Sequence, residues 1–344
     1  MSSRLQTLEK LLADNNHRLA VRGKKILEEL ATFQKTQIKV EVTVTEPVIH
    51  LKEAKPFDAR TVILLKTAQG KTKPGNPSPD IYKLTCLRQK YFVRGKDAKL
   101  VSWPHAVHSI NDDIWTCQEN GTVQIFDRDL KLLRKLSDQQ WGDVCDVIEL
   151  PSGDVALAGR GGLFHLTATG ETKTAIDTAD KYNSSVIMNN MLFAYCYRPP
   201  RLIVYTLQDD RWETHDTISL ADVVKHEAYV TLATEKGKIF ACSAHDAKVF
   251  VLSKSGKVLQ THGKPGSGPA GELNGPDICA VDSEESMLVT DSYNDRLQVC
   301  DVSGQWSVLD LQPPVKEPVG AGVIDNKLYV CSISENTLSV YANE

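Results

Sequence analysis

The feature that most constrains this chain is an internal repeat. From about residue 101 a strand–turn–strand unit recurs six times: 113–127, 154–166, 191–205, 238–252, 287–301 and 327–341. Comparable positions are Cys117, Ala158, Cys196, Cys242, Asp291 and Cys331, at separations of 41, 38, 46, 49 and 40 residues. Self-similarity at such a period marks a solenoid, propeller or array. An apolar strand precedes each unit (144–150 and 278–281, for example), and a further one commonly follows it (131–136 and 306–311). Four strands in about 40–45 residues is the content of one propeller blade.

The sixth unit reaches Glu344 after only three strands. A propeller protects its sheet edges by closing the ring. The missing outer strand is therefore expected from the N-terminal side, at Thr61–Lys66 or Lys83–Arg88. The predicted fold class is all-β, a six-bladed β-propeller over 61–344, preceded by an α-helical or coiled-coil segment over 1–36 and connecting strands over 37–60.

The helix rests on an apolar stripe, Leu5, Leu8, Leu12, Leu19, Ile26 and Phe33, spaced by 3, 4, 7, 7 and 7 residues. Polar Asn15, Arg22 and Glu29 interrupt it, so the heptad is imperfect as a coiled coil. Residues 37–60 alternate in the manner of strands. Residues 68–80 are loop by composition. Gly70-Lys71-Thr72 lacks the strand–loop–helix setting of a phosphate loop, because Pro74, Pro77 and Pro79 forbid the helix.

The fifth unit is the most distinctive. Gly263-Lys-Pro-Gly-Ser-Gly-Pro-Ala-Gly-Glu-Leu-Asn-Gly275 leads into Pro276–Asp282 and then the hairpin Met287–Asp301. Together they resemble an NHL repeat. The resemblance covers about 240 residues and implies a six-bladed recognition propeller like the C-terminal region of tripartite-motif proteins, where it follows a coiled coil. No ring finger or B-box precedes the helix here, and ubiquitin-ligase activity in that family belongs to the ring finger.

Net charge is −4, but it is unevenly spread. Residues 1–100 hold 20 Lys+Arg against 10 Asp+Glu, and residues 101–344 hold 20 against 34. An acidic repeat region disfavours a phosphate backbone as its default ligand. No run of apolar residues is long enough for a membrane helix, and the N-terminus lacks a secretory core, so a cytoplasmic location and no membrane partner are expected. The eight cysteines contain no Cys-x-x-Cys pair, which excludes a ring-type zinc module. Cys117, Cys196, Cys242 and Cys331 share one register within a residue. On different blades they are too far apart to bridge and read as small packing residues.

Catalytic, metal and cofactor sites are not expected. His105 and His108 should point to opposite faces of an extended strand, too few and too divergent for zinc. Asp291, Asn294, Asp295 and Arg296 read as a structural turn, with Arg296 paired to Asp291 across it. The expected binding patch is Trp103, Trp141 and Tyr182 before inner strands, with Tyr197, Arg198 and Arg201 in a hairpin turn on the same face. Trp, Tyr and Arg are the residue types that dominate binding energy. The reading that follows is a non-catalytic recognition or scaffold protein with protein partners, able to self-associate through residues 3–36. The alternatives are single-stranded RNA binding, through Arg160, Arg198, Arg201 and Tyr197, and a metal-dependent propeller hydrolase or lyase.

Overall fold

The computed structural model describes residues 39–45, 48–54, 66–67, 84, 87, 91–208, 211–224 and 229–343. The helix expected over 1–36 lies outside them, as does Thr61–Leu65. The chain divides into two compact units, Met1–Asn76 and Pro77–Glu344. In the first, Lys39–Thr45 pairs antiparallel with Val48–Ala54 and parallel with Lys66–Thr67.

The second unit is a six-bladed propeller. Blade one is Pro104–Ile110, Asp113–Gln118, Thr122–Phe126 and Leu132–Ser137, in that order from the axis outward. Blades two to five begin at Val144–Glu149, Tyr182–Met188, Val230–Glu235 and Pro276–Val281, each continuing through three more antiparallel strands. Blade six is Pro318–Ile324, Lys327–Ser332 and Thr337–Asn343. Its outer strand is Tyr91–Lys99, antiparallel to Thr337–Asn343, and Asp310–Gln312 adds a fifth, parallel strand outside it.

The ring is thus closed from the N-terminal side, but by neither strand expected from the sequence. Tyr91–Lys99 hides Phe92 and Ala98 while exposing Gly95, Lys96 and Asp97, the half-buried pattern an outer strand requires. In Lys83–Arg88, Leu84 and Leu87 instead adopt 3-10 geometry and plug the seam between blades five and six. The Leu84 amide donates to Asp282 Oδ2 at 2.6 Å.

The core is six clusters, one in each seam between neighbouring blades. Successive side chains of a strand serve opposite seams. In blade three, Leu192, Ala194 and Cys196 pack toward blade two, whereas Phe193 and Tyr195 pack toward blade four. Strands buried on both faces read as continuous apolar runs rather than alternating ones, which is why the second and third strands of the blades dominate the sequence pattern.

Four inner hairpins turn on two residues, Asn111-Asp112, Asn189-Asn190, Lys236-Gly237 and Asp325-Asn326, all with positive φ. That is the type I′ turn, whose twist matches the flanking strands. The ladders also correct the repeat register. Cys117, Ala158, Cys242 and Cys331 do stand at one level, opposite Ala106, Asp146, Thr231 and Gly320. In blades three and five that level belongs to Tyr195 and Thr290, one residue before Cys196 and Asp291.

Candidate functional site

The inner strands bring one residue per blade to a common level around the axis: Ala106, Asp146, Ser184, Thr231, Asp277 and Gly320. Four are polar, and they stitch blades two to five together. Asp146 Oδ2 accepts from the Ser184 hydroxyl and the Ser185 amide, both at 2.8 Å. Ser184 Oγ accepts from the Leu232 amide at 3.0 Å, and Thr231 Oγ1 accepts from the Ile278 amide at 2.8 Å. Inner-strand amides that would otherwise face the channel unpaired are satisfied in this way. At the seam of blades six and one the residues are Gly320 and Ala106, and a Cβ on Gly320 would meet Ala106 Cα at 3.1 Å. There the backbones approach too closely for a polar link.

These residues enclose an axial chamber of about 30 Å³. It is also lined by His108, Cys145, Asn183 and Cys279. His108 Nε2 lies 2.7 Å from Asp146 Oδ1. Among the described residues Asp277 accepts from Thr231, at 3.5 Å. Burial pushes its carboxyl up to about 7, against the small opposing effect of Thr231. Burial also pushes the Cys145 and Cys279 thiols up to about 12, so neither is a thiolate nucleophile at neutral pH.

His105 does not follow the strand alternation expected of it, because it is the extra residue of a β-bulge between Pro104 and Ala106. Its ring stacks on Tyr229 at 6.2 Å. These residues belong to blades one and four, on opposite sides of the ring. Burial pulls the His105 imidazole down to about 4, with Asp143 opposing and Arg160 reinforcing. Cys145, Asn183 and Val319 occupy the matching bulges of three other blades, and blade five bulges further along its inner strand, at Cys279. A bulge shifts strand phase by one residue and leaves no mark in hydrophobicity, so the polar axial level was not read from the sequence.

The expected patch divides. Trp103 is 57% exposed, and exposed Arg198 holds its guanidinium over the half-buried Tyr197 ring at 5.6 Å, Tyr197 itself packing against the seam of blades three and four. Arg201 is half-buried and pairs with Asp180 at 2.6 Å. Trp141 and Tyr182 are interior, at 3% and 0% exposure. Trp141 fills the seam of blades one and two, and the Tyr182 hydroxyl sits 2.7 Å from both Asp177 Oδ2 and the Tyr205 hydroxyl. The Trp141 site has a signal in Gly159-Arg-Gly-Gly162: a Cβ on Gly161 would meet the Trp141 backbone at 2.6 Å. The sequence reading also passed over Tyr293, 70% exposed in the turn of blade five. By strand direction it stands on the same face as Trp103 and Tyr197.

Beside Tyr293 the glycine-rich segment is held by a buried acid. Asp291 accepts from the Asn274 amide at 2.6 Å, Asn294 Nδ2 at 2.9 Å, Arg296 Nε at 2.7 Å and Gln298 Nε2 at 2.8 Å. Arg296 also donates to the Gly268 and Glu272 carbonyls. Asp295, at φ 54°, accepts from Lys316 and from the Glu317 amide, tying the turn to blade six. Blade one repeats the device with Gln118 and Gln124, which accept from the Val101 amide.

No family model matches the sequence, and no curated protein matches it. Solved structures do. They include virginiamycin B lyase from Staphylococcus aureus (9% identity, TM-score 0.51, 72% of this chain and 98% of that one). The WD40 propeller domain of Doa1 also matches (12%, 0.52, 74% and 98%). So does a protein of unknown function from Bacteroides thetaiotaomicron (11%, 0.59, 74% and 75%). What they share with this chain is the propeller. Among the described residues no three His, Cys, Asp or Glu side chains group as metal ligands, and no helix is long and apolar enough to cross a membrane.

Proposed function

We propose that this chain is a non-catalytic recognition propeller that binds partner proteins through the face carrying Trp103, Tyr197, Arg198 and Tyr293. The observation that supports it most is the contrast between axis and rim. The axial chamber, about 30 Å³, is far below the 300–1,000 Å³ typical of small-molecule sites. The rim, by contrast, presents large aromatics to solvent on a rigid ring. Exposed aromatics of this kind act as anchors in protein interfaces. The resemblance of the fifth blade to an NHL repeat supports reading the chain as similar in kind to tripartite-motif propellers. Self-association through residues 3–36 and a cytoplasmic location complete the reading.

The decisive experiment is affinity capture with the purified chain. A partner identified this way should bind Trp103→Ala and Tyr293→Ala at least about tenfold more weakly, the loss expected of interface hot spots. Unchanged affinity in both variants would remove this face from the proposal.

Single-stranded RNA is the weaker reading, because Arg160 and Arg201 are committed to Asp143 and Asp180. A salt titration against mixed-sequence RNA tests it, since phosphate binding must weaken steeply with salt. A lyase reading draws on virginiamycin B lyase among the similar structures and is tested by incubating the chain with virginiamycin B and following loss of the intact compound.

A further inference from the structure

In blades one to five the outer strand ends its sheet among the described residues. Blade six differs. There Asp310–Gln312 lies parallel against the first residues of Tyr91–Lys99 and sends Leu311, 5% exposed, into the seam. An outer strand of this ring can therefore take on one more extended segment. It does so although it carries Arg94, Lys96 and a bulge at Gly95, and basic side chains and bulges ordinarily blunt an edge. Blades one and four expose apolar side chains on theirs. Their outer strands bulge at Leu133 and at Leu259, with Leu132 48%, Leu133 44%, Val258 39% and Leu259 47% exposed. Charge separates the two edges. Past its bulge, blade four continues Gln260-Thr-His262, with no lysine, arginine or acid. Blade one reads Lys131-Leu-Leu-Arg-Lys-Leu136, a basic run in an acidic repeat region. Arg134 is committed to the ring: its guanidinium lies 6.0 Å from the Trp115 ring centroid and donates to the Thr169 carbonyl. Lys131 and Lys135 are exposed and have no carboxylate partner among the described residues.

We propose that the outer edge of blade one, Leu132–Ser137, is a second docking surface, which takes an extended acidic segment of a partner protein as a fifth strand. Main-chain hydrogen bonds along such an edge supply affinity, and side chains supply the choice of partner. Here the choice is for carboxylates beside Lys131 and Lys135 and for apolar residues against Leu132 and Leu133. The same charges suppress a basic segment, which meets like charge. A second copy of the chain fits less well, because a two-fold pair would bring the same cations together. The surface lies on the circumference of the ring, apart from the face carrying Trp103, Tyr197 and Tyr293, so it stands whether or not that face binds.

A short fluorescein-labelled peptide alternating glutamate with leucine, titrated against the full chain by fluorescence anisotropy at low salt, tests the edge. Two further peptides serve as controls, one with lysine in place of glutamate and one N-methylated at alternate amides, which cannot pair with an edge. The acidic peptide should bind, the controls should not, and amide exchange should slow at 132–137. Lys131→Glu combined with Lys135→Glu should weaken the acidic peptide at least about tenfold, as attraction turns to repulsion. The same variant should bind the lysine peptide, a gain that a misfolded chain cannot produce. Trp103→Ala and Lys257→Glu, on the recognition face and beside the edge of blade four, should alter neither result. The assignment is overturned by an acidic peptide that does not bind, by equal binding of the N-methylated peptide, by protection outside 132–137, or by a charge-reversed variant that behaves as the wild type. Dimerisation that protects 132–137 without peptide would give the edge to a second copy and overturn it equally.

Discussion

Asp277 and His105 show how burial sets opposite responses to pH within one ring. Asp277 is raised to about 7 in the fold from an ordinary value near 3.8. The native state therefore holds a proton that the unfolded chain releases. The stability this confers is full below pH ~4 and lost as pH rises toward 7. His105 is lowered to about 4 from 6.5, and its contribution is full above 6.5 and lost as pH falls through 4. In the wild type the two slopes offset each other. Asp277→Asn removes the first alone. Relative to wild type, this variant should gain up to about 4 kcal/mol between pH 4 and 7, read from urea midpoints. A parallel pair of pH curves would contradict the burial of Asp277. Asp291 is the complementary case, a buried acid fully supplied with donors. Its replacement by Ala strands Arg296 and should cost about 3–5 kcal/mol. Hydrogen exchange should locate the loss in 263–275, and uniform deprotection would refute the local clamp.

At the scale of elements, the hairpins of the blades were the most legible part of the sequence. Lys327–Ser332 and Thr337–Asn343 carry their apolar runs because both faces are buried. The inner strands were harder: their bulges at His105, Asn183 and Cys279 slip the phase, so the axial chamber could not be assembled from alternation. The patch was half legible for a related reason. Trp141 and Tyr182 stand beside Gly142 and Lys181 in loops that look exposed by composition, yet their rings are needed to fill seams. A second punctuation was present but unread. Thr167-x-x-Gly-x, Ser253-x-x-Gly-x and Asp301-x-x-Gly-x form the outer turns, with the first side chain accepting from the amide four residues on. The inner turns make their own prediction. Lys236 sits at φ 49° where Asn or Gly is favoured. Lys236→Asn should stabilise the fold by roughly 0.5 kcal/mol, whereas Asn326→Val, β-branched at φ 63°, should cost about 1–2 kcal/mol. Chemical denaturation of both variants distinguishes the two signs.

At the scale of the molecule, the repeat period and the closure from the N-terminal side could be read in advance, whereas the closing strand itself could not. A half-polar strand such as Tyr91–Lys99 has no signature beyond that of the loops around it. The ring makes its integrity a property of both ends. Removing residues 1–76 should leave the melting of the second unit within about 3 °C of the full chain, since that segment forms its own compact unit. Removing residues 1–99 deletes Phe92 and Ala98 from two seams and leaves Thr337–Asn343 as an open edge. That chain should aggregate or lose its cooperative transition, seen by calorimetry and light scattering.

The pairing of Tyr91–Lys99 with Thr337–Asn343 also fixes an order of events during synthesis. The closing strand leaves the ribosome roughly 240 residues before its partner does. At about 5–20 residues per second it must wait on the order of tens of seconds with its hydrogen-bonding edge unclaimed. Five blades can assemble while the sixth cannot, so the nascent chain carries an incomplete arc until Thr337–Asn343 emerges. The ring closes only once Thr337–Asn343 has been made, and a chain interrupted before that strand is an arc with two sticky ends rather than a smaller propeller.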